Sequence, residues 1–422
     1  MTKLPLGRYC KAFLGGSGRM QGNKYRVLIV SSHPVQYAAP LYRLMAQHPK
    51  LDILVAYCSL QGAEKGVDPG FGVEVAWDVP LLEGYPWVHV PNRSPRPGLG
   101  RFWGLFNPRL WRIISQNHWD AIVIYTGYIY ASFWIVMVAA KIKRCALLFG
   151  TDAHEVRPRD RRFWKTYLKA FLWPYIFRLA DIVIVPSTGS VQLMRRIGIP
   201  DERIVLTPYV VNNDWWLKQA SRADPALIRA LWNIPCDAPV VLFCAKLQPW
   251  KRPQDVLRAF AQADVPNSYL IFAGEGPLRK SLEEEAQVLG VAHCVRFLGF
   301  VNQSRLPGVY RAADILVLPS EYEPFGLVVN EAMLCGRPVI VSDRVGAKYD
   351  LVREGETGFV YPCGDIEALA RILREVLPDR ERLRKMGEAA RKRMETWSPR
   401  ENVEAFVQAV EKAVQRKRGK KE

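Results

Sequence analysis

The sequence of 422 residues has no C-x-x-C pair, and its eight cysteines, Cys10, Cys58, Cys145, Cys236, Cys244, Cys294, Cys335 and Cys363, are scattered. That excludes a disulfide frame or a zinc ribbon and fits free core thiols in a reducing cytoplasm. No apolar run reaches the ~20 residues that a membrane span needs. The nearest, residues 128–140, is short and is followed by Lys141, so it reads as a helix buried in an α/β domain. The first two dozen residues are basic and glycine-rich and lack the apolar stretch of a secretory signal. Acidic residues are scarce beside basic ones: 41 Asp and Glu against 59 Lys and Arg, a net charge of +18. Such a balance favours anionic partners, whether nucleic acid, an anionic lipid surface or phosphorylated substrates. No Asp-x-Asp occurs anywhere.

What is there suffices for two domains. The chain is too long for one ordinary core, and 49% of it is hydrophobic. Short aliphatic runs recur, each followed by a glycine, proline or small polar turn and then a helical stretch. This is the pattern of α/β domains with doubly wound parallel sheets. The divisions read as a basic extension over 1–24, a first domain over 25–214, a second over 215–397, and a terminal helix with a basic tail over 398–422.

One unit organises the second half. Residues 313–320 form an aliphatic run ending in Pro319-Ser320, which predicts a buried strand. Glu323-Pro-Phe325-Gly326 predicts a tight turn. Leu327 to Leu334 predicts a helix closed by Gly336, and the next strand follows Pro338. The helix start at Phe325-Gly326-Leu327 offers backbone N–H groups and the positive dipole end to an anion. Glu323 precedes the helix and Glu331 lies one turn into it. Carboxylates accept from sugar and ribose hydroxyls, so the unit suits a ligand with a diphosphate between two hydroxylated rings.

This Glu-x7-Glu spacing around Pro-Phe-Gly resembles the signature of the retaining glycosyltransferases of family 4, which have the GT-B fold. The resemblance covers residues 25–415, more closely in the second half. It implies two Rossmann-like domains facing across a cleft, with the nucleotide-sugar donor in the second and the acceptor in the first. Lys246 and Lys251 stand where the family has Arg and Lys around the leaving diphosphate, and Arg252 stands where it has Gly. Gly274 and Gly276, in Gly-x-Gly-Pro, resemble the loop whose glycines let backbone approach the nucleotide. Gly299 and Phe300 fall at the turn that sits against the base. Catalytic roles carry to His154, its neighbour Asp152, and Glu323. His33, Gln36 and Tyr37, in a His-Pro-x-Gln-Tyr loop replacing the common Gly-Gly, line the acceptor side of the cleft; alternatively His33 only caps its turn. Asn212 reads as a hinge element without chemistry.

The resemblance further implies transfer with retained configuration, the leaving phosphate assisting the incoming hydroxyl on the same face. With no Asp-x-Asp, and with lysines and a helix dipole for electrostatics, neither a metal nor another cofactor is expected. The expected partners are a nucleotide-sugar donor, a glycan or lipid-linked acceptor and an anionic membrane surface, with no nucleic acid. Residues 157–181 place Arg157, Arg159, Arg161, Arg162 and Lys165 ahead of a run of aromatics, with Pro174 as an interruption. Basic and aromatic residues on one helix fit a membrane surface, which puts the protein in the cytoplasm, on the inner face of the membrane. Two other classes stay open: a nucleotide-sugar epimerase of GT-B fold, and a non-enzymatic basic module binding membrane or nucleic acid.

Overall fold

The computed structural model describes residues 24–63, 66–67, 74–75, 77–157 and 163–419. The expected basic extension up to residue 23, Arg159, Arg161, Arg162 and the last three residues lie outside them. Two parallel sheets dominate. The first contains β1 (Tyr25–Ser31), β2 (Leu51–Tyr57), β3 (Trp87–His89), β4 (Ala121–Ile124), β5 (Ala146–Gly150), β6 (Ile182–Val185) and β7 (Ile204–Leu206), in the spatial order β3-β2-β1-β4-β5-β6-β7. The second contains β8 (Val240–Cys244), β9 (Tyr269–Ala273), β10 (Val295–Gly299), β11 (Ile315–Leu318), β12 (Val339–Ser342) and β13 (Gly358–Tyr361), in the order β10-β9-β8-β11-β12-β13. Both orders reverse direction once, between β1 and β4 and between β8 and β11. In doubly wound sheets, ligands bind outside the carboxyl ends of the strands at such a reversal.

The strands are continuous aliphatic runs because both faces are covered. In β1, Leu28 and Val30 join one core cluster while Val27 and Ile29 join the other, as the two-residue period requires. The helix Pro399–Arg418 leaves the second domain and lays Val403, Phe406, Val407 and Val410 into the core of the first. Its start carries a capping box, Ser398 with Glu401, which satisfies backbone N–H groups at the helix end.

The helix Ala38–Gln47 carries Pro40 in its first turn, where a missing N–H costs little. Two local expectations are corrected. The helix expected to break at Pro174 runs uninterrupted over Phe163–Arg178. Trp173, Ile176 and Phe177 are buried around the proline, and Trp173 Nε1 donates to Tyr128 Oη at 2.9 Å; this packing outweighs one lost backbone bond. The expected basic tail is helical as far as Arg418, where the basic last turn complements the negative end of the helix dipole. Among the described residues no helix is long and apolar enough to cross a membrane.

Candidate functional site

The loop after β11 sets the geometry. Phe325 is fully buried, stacked parallel over Trp397 at 6.2 Å between centroids and tilted against Tyr209 at 5.6 Å. Gly326 takes φ +98°, which strains any other residue, and a Cβ there would also press on Leu318 and the stem of Glu323. The loop after β12 braces the turn from behind: the N–H groups of Gly346 and Ala347 donate to the carbonyls of Glu323 and Phe325 at 3.0 and 2.8 Å. The helix Leu327–Leu334 then starts with no side chain capping it, its N-terminus at the cavity.

Lys251 comes from the 3-10 turn Pro249–Lys251 after β8, and its ammonium hydrogen-bonds the Glu323 carboxylate. Both side chains are mostly buried, 18% and 14% exposed, so the pair is shielded from screening. Arg252 follows with φ +53° and ψ +45°, a left-handed conformation that favours glycine. Its guanidinium grips Asp255 with two bonds, 2.6 and 3.1 Å, and lies 3.8 Å from Glu321. The position thus keeps the backbone shape of glycine while using the side chain to neutralise two carboxylates.

Glu331 sits at the far end. Tyr310 Oη donates to its Oε2 at 2.8 Å. Burial pushes the carboxyl up to about 7, against the lowering effect of that bond. From the first domain, Tyr209 Oη donates to Tyr37 Oη at 2.9 Å and the two rings are 5.2 Å apart. Asp152 opens onto the cleft from the loop after β5; its surroundings raise its carboxyl pKa, burial first and the Glu323 charge also contributing.

A cavity of about 390 Å³ joins these groups. That is within the range of roughly 300–1,000 Å³ for small-molecule sites. Of the predicted residues, Gln36, Tyr37, Asp152, Lys246, Lys251, Gly274, Phe300, Glu323, Phe325, Gly326, Leu327 and Glu331 line it. His33, His154, Gly276 and Gly299 are not among its lining residues. His33 Nδ1 is 2.9 Å from Ser32 Oγ. His154 hydrogen-bonds the Arg344 backbone; burial first, then the nearby Lys348 and Arg344 charges, lower its imidazole to about 4. Around it, Glu155 lies 3.7 Å from Arg344 and Arg157 3.6 Å from Glu321, both pairs joining the first domain to the second.

Gly274 and Gly276 have a packing reason: added Cβ atoms would meet the carbonyl oxygens of Ala245 and Leu247 at 1.9 and 2.5 Å. Those glycines let two loops of the second domain touch. Tyr209 and Gln303, which sequence reasoning missed, also line the cavity, as does Trp77. Trp77 meets Phe300 edge-on at 6.1 Å, and the adjacent Asp78 accepts from Ser304 N at 3.2 Å, so a first-domain loop reaches the Gly299-Phe300 turn of the second. The segment around Tyr209 had been read as a hinge, and Asn212 in it caps the helix Asn213–Arg222 by accepting from Trp215 N at 3.3 Å.

Two doubly wound domains with a cavity between their carboxyl edges define the GT-B architecture. Residues 226–393 match the glycosyl transferases group 1 family and residues 19–210 the glycosyl transferase 4-like domain. An uncharacterized glycosyltransferase of Methanocaldococcus jannaschii is 41% identical over 53% of this chain, which spans about half (55%) of that protein's length. A D-inositol 3-phosphate glycosyltransferase of Catenulispora acidiphila is 38% identical over 69% of each chain. The structure of Anabaena HepE in complex with UDP and glucose superposes with a TM-score of 0.69, covering 92% of this chain and 99% of that one at 20% identity, a likeness of fold. The chain belongs to the family 4-like glycosyltransferases.

Proposed function

We propose that the protein transfers a sugar, with retained configuration, from a nucleotide-diphosphate sugar to an acceptor hydroxyl on a glycan or a lipid-linked carrier. The observation that carries this reading is one cavity holding Lys246, Lys251 and a helix N-terminus between Glu323 and Glu331. The two lysines and the helix dipole suit a diphosphate as it becomes the leaving group, with no metal required. Glu331 suits the ribose hydroxyls. Glu323, paired with Lys251 in the protein alone, exchanges that partner for sugar hydroxyls when the diphosphate takes the ammonium. The leaving phosphate then accepts the acceptor's proton on the face it vacates. Asp152, opening on the same cavity, suits the outer hydroxyls of the sugar; His154 supports the same loop and stays neutral above about pH 4. The UDP bound to Anabaena HepE favours a uridine donor. A cytoplasmic location on a membrane surface fits a lipid-linked acceptor.

The test is a thermal-shift panel of UDP, GDP, ADP and TDP, with and without magnesium, on wild type and Glu331→Ala. A diphosphate at 100 times its Kd adds about 2.7 kcal/mol. One diphosphate stabilising wild type alone, without magnesium, is the expected result. Stabilisation of neither protein by any diphosphate would remove the donor reading. Product formation with no acceptor present would indicate an epimerase instead.

A further inference from the structure

The helix Phe163–Arg178 is apolar on two opposite faces. Trp173, Ile176 and Phe177 point inward and are 4%, 7% and 1% exposed. Trp164, Tyr167, Phe171 and Tyr175, together with Leu168, form the outward stripe at helical spacing, and the four aromatics are 59%, 74%, 66% and 60% exposed. A helix apolar on both faces is complete only when something covers the second. The elements that cover the same core expose further large apolar residues, Phe102, Trp103, Trp111, Val138 and Ile142. Among the described residues, eight aromatic side chains are exposed, and seven of them are on this side of the first sheet. The opposite side, under the helices Ala38–Gln47 and Pro399–Arg418, exposes Leu44 as its large apolar residue.

Charge selects the occupant. The elements of this side, Phe102–Gly104, Arg109–Ser115, Ala131–Ile142 and Phe163–Arg178, contain no Asp or Glu. Residues 84–180 hold fifteen Lys or Arg against four Asp or Glu, +11 of the chain's +18. Two of those acids, Asp152 and Glu155, belong to the cleft, and Asp120 accepts from Arg26 N at 2.9 Å. Lys165 and Lys169 flank the stripe, 5.7 and 5.2 Å from the rings of Trp164 and Trp173. Two copies of such a face repel each other, whereas aromatic side chains flanked by cations match the interface of an anionic bilayer.

We propose that this side of the first domain docks on an anionic lipid bilayer, the helix Phe163–Arg178 lying in the interface with Trp164, Tyr167, Phe171 and Tyr175 inserted. The same helix follows the loop of Asp152 in the chain, so docking holds the acceptor side of the cleft near the lipid surface. Only this last consequence rests on the proposed transfer reaction; the docking itself does not.

The experiment is flotation of the full chain with vesicles of phosphatidylcholine alone or with about 30% phosphatidylglycerol, at low and high salt. Wild type is expected to float with the anionic vesicles, less so at high salt, and not with the neutral ones. The variant Trp164→Ser/Phe171→Ser/Tyr175→Ser should lose at least ~10-fold in vesicle partition while keeping its melting temperature, because these side chains are exposed. Lys165→Glu/Lys169→Glu should weaken binding to anionic vesicles with the aromatics intact. Wild type that stays with the soluble fraction beside anionic vesicles overturns the proposal, as does a triple variant that floats like wild type. A triple variant that instead converts a dimer to a monomer, with no vesicle binding by wild type, also overturns it in favour of a second copy. Stabilisation by nucleoside diphosphates is read separately on the same samples, so loss of the donor reading leaves the docking result interpretable.

Discussion

The two sheets share one strand order but treat their surroundings differently. In the second domain, short turns follow the strands at the reversal, and Lys246, Gly274 and Glu323 each sit within a few residues of a strand end. In the first domain, β2 and β4 are separated by 63 residues containing one short strand of that sheet, and the outer helices leave aromatic side chains exposed. On the proposed reading the second half meets a nucleotide diphosphate, whose phosphates and ribose suit fixed turns, and the first half meets the acceptor and whatever carries it, which suits a more variable surface.

The sharpest way to break this contrast is to damage each half once. Lys251→Ala removes the cation that pairs with Glu323 and, on the proposed reading, faces the leaving phosphate. It should lower kcat about 10²–10³-fold for every acceptor tried. Gln36→Ala, on the first-domain wall of the same cavity, should raise the acceptor KM and leave donor affinity unchanged. Equal losses of donor affinity from both variants, measured by titration with the diphosphate, would show that the halves do not divide the work.

A second effect comes from Glu331. Its folded carboxyl pKa of about 7 lies above that of the unfolded chain. Protonation is therefore favoured by folding: the penalty is absent at low pH and grows as pH rises from the ordinary carboxylate range toward 7. A ribose hydroxyl donates to the ionised form, so donor Kd should weaken about tenfold per pH unit below 7 and level off above it. A nucleotide-diphosphate sugar is the better probe, since its phosphates do not titrate there. Glu331→Gln should abolish the slope and raise the melting temperature above pH 7, at the cost of affinity. A wild-type Kd that is flat between pH 5.5 and 8 would contradict this role.

How much of this was legible follows the same division. The strand, turn and helix around Glu323 and Glu331 could be read from residues alone, because the aliphatic run, Pro-Phe-Gly and the helix start are all local signals. The pairing of Lys251 with Glu323 could not, since it joins two loops 72 residues apart. Trp77 lies in a segment without periodicity, and its contact with Phe300 is a fact of domain docking. Tyr209 looked like part of a connection, although the two domains meet at its ring. The Gly274 and Gly276 signal also has a cause that no local reading shows, close packing against the backbone of Ala245 and Leu247. Pro174 misled because a proline reads as a break unless the burial of Trp173, Ile176 and Phe177 is known.

Trp77 provides a smaller test. Edge-on aromatic pairs contribute about 0.5–1.5 kcal/mol beyond their buried area. Trp77→Ala should therefore weaken donor binding several-fold, and Phe300→Ala should add little on top if the rings act together. Full additivity in a double-mutant cycle, read by calorimetric titration, would mean that the two rings act independently rather than as one contact.

The last effect expected concerns Arg252 and is read on stability, not on binding or turnover. Holding a non-glycine residue in the left-handed region costs about 1–2 kcal/mol, so Arg252→Gly should relieve strain. The same change strips Asp255, a buried carboxylate, of its two charge-assisted bonds, and breaking a buried pair costs about 3–5 kcal/mol. The second term wins, and the single variant should be less stable by a few kcal/mol. In an Asp255→Asn background no stranded charge remains. There Arg252→Gly should be nearly neutral or stabilising by up to about 1 kcal/mol in chemical denaturation. A destabilisation as large in that background as in wild type would mean that the guanidinium acts through Glu321 instead, which sits beside the Glu323–Gly326 turn and also faces Arg157 of the first domain.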